Sequence, residues 1–399
     1  MATQPTIPAV DWLLDSDVVF LNHGSFGACP TVVHDEYQRI QRRLETQPVR
    51  FLQRELPDLL ADARRSLAGF VGAEEDEVVF VANPTYAVNE IARSLRLGPG
   101  DEVVTSNHEY GACLNAWTFM AAKSGFELVT AALPATIETD NDFTSAIWNQ
   151  VTERTKVIFL SHITSATALT FPIAEVCHRA TSRGIITVID GAHVAGQMPL
   201  DVASLGADFY VGTCHKWVCA PKGSSFFYAR RDVQHLIEPL VVGWGWGEAR
   251  QFDSGSDFLD FHQWLGTDDP SAYLTVPSAI RFQRENDWPG VQARCHKLAS
   301  AFVEEATSID GVRKVHGDDR FAQMALIELI DLHEGRGGAA LLQTQLYDKH
   351  RVEVPVISWT DPAGRARTFV RISVQAYNTE QELARLAGAL AALHVSLKT

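Results

Sequence analysis

Seven short apolar, β-branched runs at 78–81, 102–106, 127–132, 156–163, 184–190, 209–213 and 224–229 alternate with helix-like stretches such as 85–96, 112–123 and 172–183. The helix-like stretches carry apolar residues at three- and four-residue spacing. Strands and helices in rotation are the signature of βαβ units, so the chain is predicted to fold as α/β around a mostly parallel, two-faced sheet. In such a sheet the groups that do chemistry collect where loops converge at the carboxyl ends of strands. Asp190, His193, Thr213, His215 and Lys216 all fall at such ends.

From Trp288 onward the pattern changes to longer amphipathic segments, 291–308 and 380–393, interleaved with strand-like 324–330, 352–358 and 369–374. This predicts a smaller α+β C-terminal domain. The expected division is an N-terminal arm at 1–20, a large domain at 21–270 and a small domain at 271–399. Residues 242–269, rich in Gly, Trp and Asp, read as a connecting active-site loop, and no internal repeat interrupts the chain.

Composition narrows the partners. A 399-residue chain that is 46% hydrophobic can build a sizeable core, and a net charge of −15 repels polyphosphates at long range. Nucleic acid and anionic membranes are therefore not expected partners, and a phosphate site has to be local. The N-terminus has no basic segment followed by an apolar one, and no stretch approaches the roughly 20 apolar residues needed to span a bilayer. A cytoplasmic location is expected. The six cysteines form no C-x-x-C pair, which points to reduced thiols and not to a zinc site or a disulfide framework.

Lys216 and Asp190 close two of the apolar runs, 216 − 190 = 26 positions apart. A lysine amine condenses with an aldehyde to a Schiff base, and an ionised carboxylate holds a pyridinium nitrogen protonated. The pair thus suits opposite edges of pyridoxal 5′-phosphate (PLP). Asp190 also fits as a cap of the turn that follows it, and His193 either touches the cofactor's phenolic oxygen or is a satisfied loop histidine. In Thr213-Cys214-His215-Lys216 the hydroxyl and imidazole are placed to donate to a phosphate beside the reactive amine. Upstream, Ala82-Asn83-Pro84-Thr85-Tyr86-Ala87 reads as a strand-to-helix turn with Thr85 as N-cap and the N–H groups of Tyr86 and Ala87 free to bind an anion. His108 and Tyr110, just past another strand, offer rings that stack on a flat cofactor or simply pack. Gly243-Trp244-Gly245-Trp246-Gly247 lacks dinucleotide-loop spacing, and Gly24-Ser25-Phe26-Gly27 misses the serine-hydrolase elbow by one position.

These motifs, in this order from about residue 20 to residue 393, resemble the fold-type I, class V aminotransferase family, which holds cysteine desulfurases, isopenicillin N epimerase-like enzymes and related C–S lyases. The resemblance implies PLP as cofactor, Lys216 as its Schiff-base lysine, Asp190 as the pyridinium partner and His193 at the phenolic oxygen. It places Thr85, Thr213 and His215 at phosphate-binding positions, and Tyr110 at the ring-stacking position where desulfurases carry histidine. Gly266-Thr267 resembles the turn that reaches the neighbouring subunit's phosphate, which implies a homodimer with shared sites. Val370-Arg371-Ile372-Ser373 resembles the segment whose arginine grips a substrate α-carboxylate. The opening Asn22-His23-Gly24-Ser25-Phe26-Gly27 looks most like the epimerase-like subgroup, and Asn22 and His23 are expected near the substrate.

The family's shared chemistry has the substrate amine displace Lys216, whose freed amine then takes the Cα proton of an amino acid or amino-acid-terminated compound. Return of a proton from the opposite face, with Tyr110 or His23 as candidate donor, gives epimerisation. Loss of a β-substituent gives a C–S lyase, and protonation at the cofactor carbon gives an aminotransferase. Desulfurases carry a mobile cysteine before the carboxylate-binding arginine, and residues 348–371 contain none. Epimerase-like chemistry is therefore the first expectation and β-elimination or transamination the second. A noncatalytic binding protein on the same fold is the remote alternative.

Overall fold

The computed structural model describes residues 6–8, 11–248, 250–330 and 335–397. Residues 1–5, 9 and 10 of the expected arm, and Ala249 of the loop, lie outside the described residues. The strands in chain order are β1 (Val19–Phe20), β2 (Val78–Val81), β3 (Glu102–Ser106), β4 (Glu127–Ala131), β5 (Thr155–Ser161), β6 (Ile186–Gly191), β7 (Phe209–Thr213), β8 (Ser225–Ala229), β9 (Val312–Lys314), β10 (Met324–Leu329), β11 (Val352–Glu353), β12 (Val356–Thr360) and β13 (Ala366–Ser373).

Seven of them form the central sheet in the order β2-β8-β7-β6-β5-β3-β4. β8 runs antiparallel to both of its neighbours and the other pairings are parallel. Helices cover both faces, so the interior strands β3, β7 and β8 are buried at every position, as unbroken apolar runs require. The edge strand β4 is half exposed and correspondingly less apolar. Predicted and observed strands agree to within two residues at most ends, because a fully buried strand has to be apolar along its whole length.

The C-terminal part carries a four-stranded antiparallel sheet, β12-β13-β10-β9, backed by the helices Trp288–Ala306 and Gly335–His350, on which Glu380–Leu397 packs in turn. The single strand expected at 352–358 is two, β11 and β12, separated at Val354-Pro355. A proline has no N–H to give a ladder, so the strand breaks there. β11 pairs in parallel with β1, and Ser373 donates its N–H to Leu21 O at 2.9 Å. The N-terminal stretch is thus stitched to the C-terminal strands and delivers residues 22–27 to the seam between the two sheets. The helix Ser271–Glu285, on the C-terminal side of the expected boundary at residue 270, packs against the helices Thr31–Thr46 and Leu56–Val71 of the large domain. Among the described residues, no helix is long and apolar enough to cross a membrane.

Candidate active site

Strands β5, β6 and β7 end side by side, and Ser161, Asp190 and Thr213 at their carboxyl ends open into one cavity of about 450 Å³. Thr85, Tyr110, His193, His215 and Lys216 line it as well, together with Ser25, Phe26, Asn83 and Ser165. These twelve residues, drawn from distant parts of the sequence, thus meet where the parallel sheet brings its strand ends to one edge.

Lys216 brings an amine to the cavity. Burial pulls its pKa from 10.5 down to about 8, against the opposing pull of the Asp190 charge. His193 Nε2 lies 3.2 Å from the amine, and the Trp217 indole N–H donates to His193 Nδ1 at 3.3 Å. An indole nitrogen only donates, so Nδ1 has to be the acceptor and a neutral His193 carries its proton on Nε2. Burial and the nearby Lys216 charge hold His193 well below its usual range, so the ring is neutral. The imidazole therefore offers N–H to the lysine amine, which accepts it only when unprotonated. Burial moves Lys216 towards that free form, and with a pKa of about 8 the amine is still mostly protonated at pH 7.

Asp190 is 3% exposed; it accepts from Ala192 N–H at 3.0 Å and from the Cys113 thiol at 3.5 Å. Among the described residues no lysine or arginine lies within 4 Å of it, and burial raises its pKa. A buried carboxylate held by an amide and a weak thiol donor is short of a cation. A pyridinium N–H supplies that cation, and the lysine amine across the cavity suits an aldehyde. The residues present fit PLP on these two counts.

The phosphate end departs from expectation. The N-cap is Asn83, whose Oδ1 accepts from Tyr86 N–H at 2.9 Å, with Pro84 in the first turn. Thr85 is thus one turn position inside the helix and its side chain lines the cavity, whereas the Tyr86 N–H expected to hold an anion is already engaged. Asparagine outcompetes the threonine because its side chain caps from outside the helix, where proline at the first position leaves no backbone donor to compete. The Tyr86 ring is half-buried and does not line the cavity. Thr213 Oγ1 donates to Ala192 O at 2.7 Å and His215 Nδ1 lies 3.0 Å from Ser224 O. The Thr213 hydroxyl and one ring nitrogen of His215 are therefore engaged by main-chain carbonyls. His215 keeps Nε2 for the cavity, and burial lowers its pKa to about 4.

Two residues expected at the substrate are elsewhere. His23 is 0% exposed and stands behind Lys216, with Nε2 3.0 Å from Lys216 O and Nδ1 3.1 Å from the Tyr377 hydroxyl. Burial pushes it down to about 3. It has no path to the cavity, so the structure replaces a substrate or acid role with a supporting one. Asn22 likewise faces inward, donating to Glu353 Oε1 at 3.0 Å. Arg371 is 3% exposed; its guanidinium donates to Ser165 O and, at 3.1 Å, to Ser25 Oγ, both on the cavity wall. Thr267 is exposed and away from the cavity of its own chain. The loop 242–251 does not line that cavity either, and Arg250 ties it to Asp257 at 2.7 Å.

Tyr110 lines the cavity with its side chain 48% exposed, whereas His108 is buried with Nδ1 2.7 Å from Thr167 Oγ1. Unforeseen from the sequence are Ser25, Phe26, Ser161, Ser165 and Glu109. Glu109 accepts from Ser106 Oγ at 2.6 Å and Ser161 Oγ at 2.5 Å, and burial raises it to about 7. Ser161 ends a strand and was open to the same strand-end argument that singled out Asp190. Ser165 and Glu109 sit in irregular loops and Ser25 and Phe26 in the single helical turn His23–Phe26, none with a positional signal.

The model of the aminotransferase class-V family matches residues 20–386. The isopenicillin N epimerase of Amycolatopsis lactamdurans is 35% identical over 392 residues, 94% of this chain and 95% of that protein. The probable chloroplastic L-cysteine desulfhydrase of Arabidopsis thaliana is 28% identical over 94% of this chain and 83% of its own length. Among solved structures, a variant of C-DES with glycine covalently linked to its PLP cofactor superposes with a TM-score of 0.81 at 20% identity, covering 94% of this chain and 97% of that one. A cavity that lacks only a pyridinium and an aldehyde, on a fold and a sequence shared over nearly the whole length, leaves one conclusion: the chain is a PLP-dependent enzyme of the aminotransferase class-V family.

Proposed function

We propose that the enzyme epimerises the α-carbon of an amino acid or amino-acid-terminated compound, in the manner of the isopenicillin N epimerases it resembles. The observation that carries the reading is the buried Lys216 amine at the strand ends, 3.2 Å from His193 Nε2 and with its pKa lowered by burial. Bound PLP supplies an electron sink conjugated to the substrate Cα. Lys216 Nζ takes the Cα proton, for which a pKa of about 8 suits work near neutrality. Asp190 keeps the ring nitrogen protonated from the floor of the cavity. Arg371, buried and without a carboxylate within 4 Å among the described residues, orients the substrate acid. Tyr110, a half-exposed ring on the cavity wall, returns a proton to the other face of Cα. None of the six cysteines lines the cavity, which leaves a persulfide-forming relay without its thiol. We further read the enzyme as a cytoplasmic homodimer; the exposure of Gly266 and Thr267 away from their own cavity suits a turn that serves a neighbour's phosphate.

The test has two steps. Borohydride treatment of the yellow holoenzyme is expected to fix the cofactor on the Lys216 peptide. Incubation with isopenicillin N and a panel of L-amino acids in deuterated water is then expected to yield deuterated, inverted substrate. Keto acid with ammonia would assign a β-elimination lyase, and cofactor trapped as the pyridoxamine form an aminotransferase. A protein that takes up no PLP would overturn the reading.

A further inference from the structure

Lys216 lines the cavity and Arg371, on the other sheet and 371 − 216 = 155 residues away, stands against its wall through Ser25 and Ser165, yet both are tied to one short turn, His23–Phe26 with Gly27 as its cap. At one end of the turn, His23 Nε2 lies 3.0 Å from Lys216 O. A carbonyl only accepts, so Nε2 carries the ring proton and Nδ1 accepts from the Tyr377 hydroxyl at 3.1 Å. Gly27 lies close against the preceding peptide, between His215 and Lys216, and its own carbonyl accepts from Lys222 Nζ at 2.9 Å. At the other end, Ser25 Oγ gives its proton to Asn22 Oδ1 at 2.6 Å and is therefore an acceptor towards Arg371 Nη2 at 3.1 Å. Asn22 is anchored in turn on Glu353 at 3.0 Å.

Resting on the reading of Lys216 as the cofactor's lysine and Arg371 as the carboxylate ligand, we infer that residues 22–27 are a clasp that sets these two groups in register, with Ser25 a positioning residue for Arg371. The guanidinium needs such a holder. It is buried, its Nε–H has no protein partner, and among the described residues no carboxylate lies within 4 Å of it. Its place is set only by the neutral oxygens of Ser165 and Ser25. Neutral acceptors orient the cation without neutralising it, so its charge stays available to an incoming carboxylate. An aspartate in place of Ser25 would have satisfied the arginine and closed the site to substrate. Because Ser25 and Phe26 themselves line the cavity, the clasp also puts the Phe26 ring, 72% exposed, at its mouth.

The experiment titrates holoenzyme with propionate, a carboxylate with no amine and no reaction to undergo, following the visible band of the lysine-bound cofactor. Wild type, Ser25→Ala and Ser25→Thr are compared. In Ser25→Ala the half-saturating propionate concentration is expected to rise about tenfold, the scale of one lost hydrogen bond to a charged group. Ser25→Thr, which keeps the hydroxyl, is expected to bind within about twofold of wild type, and all three keep a borohydride-fixable cofactor. Ser25→Ala binding propionate as wild type does would overturn the clasp, as would an equal loss in Ser25→Thr. Failure of borohydride to fix the cofactor on wild-type Lys216 strikes the proposed function instead, so the two failures are told apart.

Discussion

Replacement of Gly27 by alanine tests how tightly the N-terminal turn controls the lysine. Gly27 sits at φ 72° and ψ 161°, a region that only glycine occupies without strain, and an alanine held there costs about 1–3 kcal/mol. The added Cβ would lie 2.0 Å from His215 O and 2.8 Å from Lys216 Cα. Ordinary carbon contacts begin near 3.5 Å, so backbone has to yield by about 1 Å. What it meets is main chain and not the far end of a flexible side chain, so no rotamer change relieves it. Strain and overpacking together give a loss of about 3–4 kcal/mol, which for a chain of this length is a fall in Tm of roughly 4 °C. The larger effect is functional. A displacement of about 1 Å in a positioned catalytic group lowers rates by about a hundredfold. Calorimetry and the rate of Cα–H exchange into deuterated water measure the two effects separately. If Gly27→Ala exchanged its substrate proton at the wild-type rate, the contact between this turn and the Lys216 peptide would be of no consequence and the reasoning would fail.

Three further outcomes are expected. Asp190→Asn keeps the Ala192 hydrogen bond and the shape but removes the charge that holds the ring nitrogen protonated; Cα–H exchange is expected to fall at least about a hundredfold while borohydride still fixes the cofactor, and wild-type exchange would contradict the assigned role. Tyr110→Phe keeps the ring but removes the hydroxyl, so exchange at Cα is expected to persist with inversion lost; retained inversion on chiral chromatography would move the second proton donor elsewhere. Acid should weaken the fold. Burial lowers His23 to about 3, and His108, His162, His215, His262 and His316 to about 4, whereas the unfolded chain takes up these protons near pH 6.5. Their stabilisation is complete above pH 6.5 and is lost as pH falls towards 4, each by up to about 1.4 kcal/mol per unit. Glu90 and Glu109, raised to about 7, oppose this by binding protons first in the folded state, but two carboxyls do not balance six imidazoles. The urea midpoint is expected to be lower at pH 5.5 than at pH 7.5, and a higher one would refute the assignment of neutral buried histidines.

The central sheet was legible residue by residue because its strands are covered on both faces, which forces unbroken apolar runs with polar groups only at their ends. Asp190, Thr213 and Lys216 were found by that rule. It misled where a local competitor intervened: Asn83 displaced Thr85 as the helix cap, and Pro355 cut a strand in two. It was silent about Ser25, Ser165 and Glu109, since a serine or glutamate in a loop carries no mark of what lies across from it. His23 shows the same limit from the other side, for its motif placed it near the substrate and its packing placed it behind the lysine.

By itself the sequence determined the α/β architecture and pointed to the cofactor class and to Lys216 as the candidate lysine for it, since these follow from burial period and from side-chain chemistry, both local properties. Only the tertiary structure decided which nitrogen of His193 carries a proton, that burial lowers the pKa of Lys216, and that Arg371 is left without a carboxylate partner among the described residues. Each of those depends on what stands within about 3–4 Å across a cavity built from distant segments. Protonation and charge balance are set by neighbours in space, and the order of residues along a chain does not say who they are.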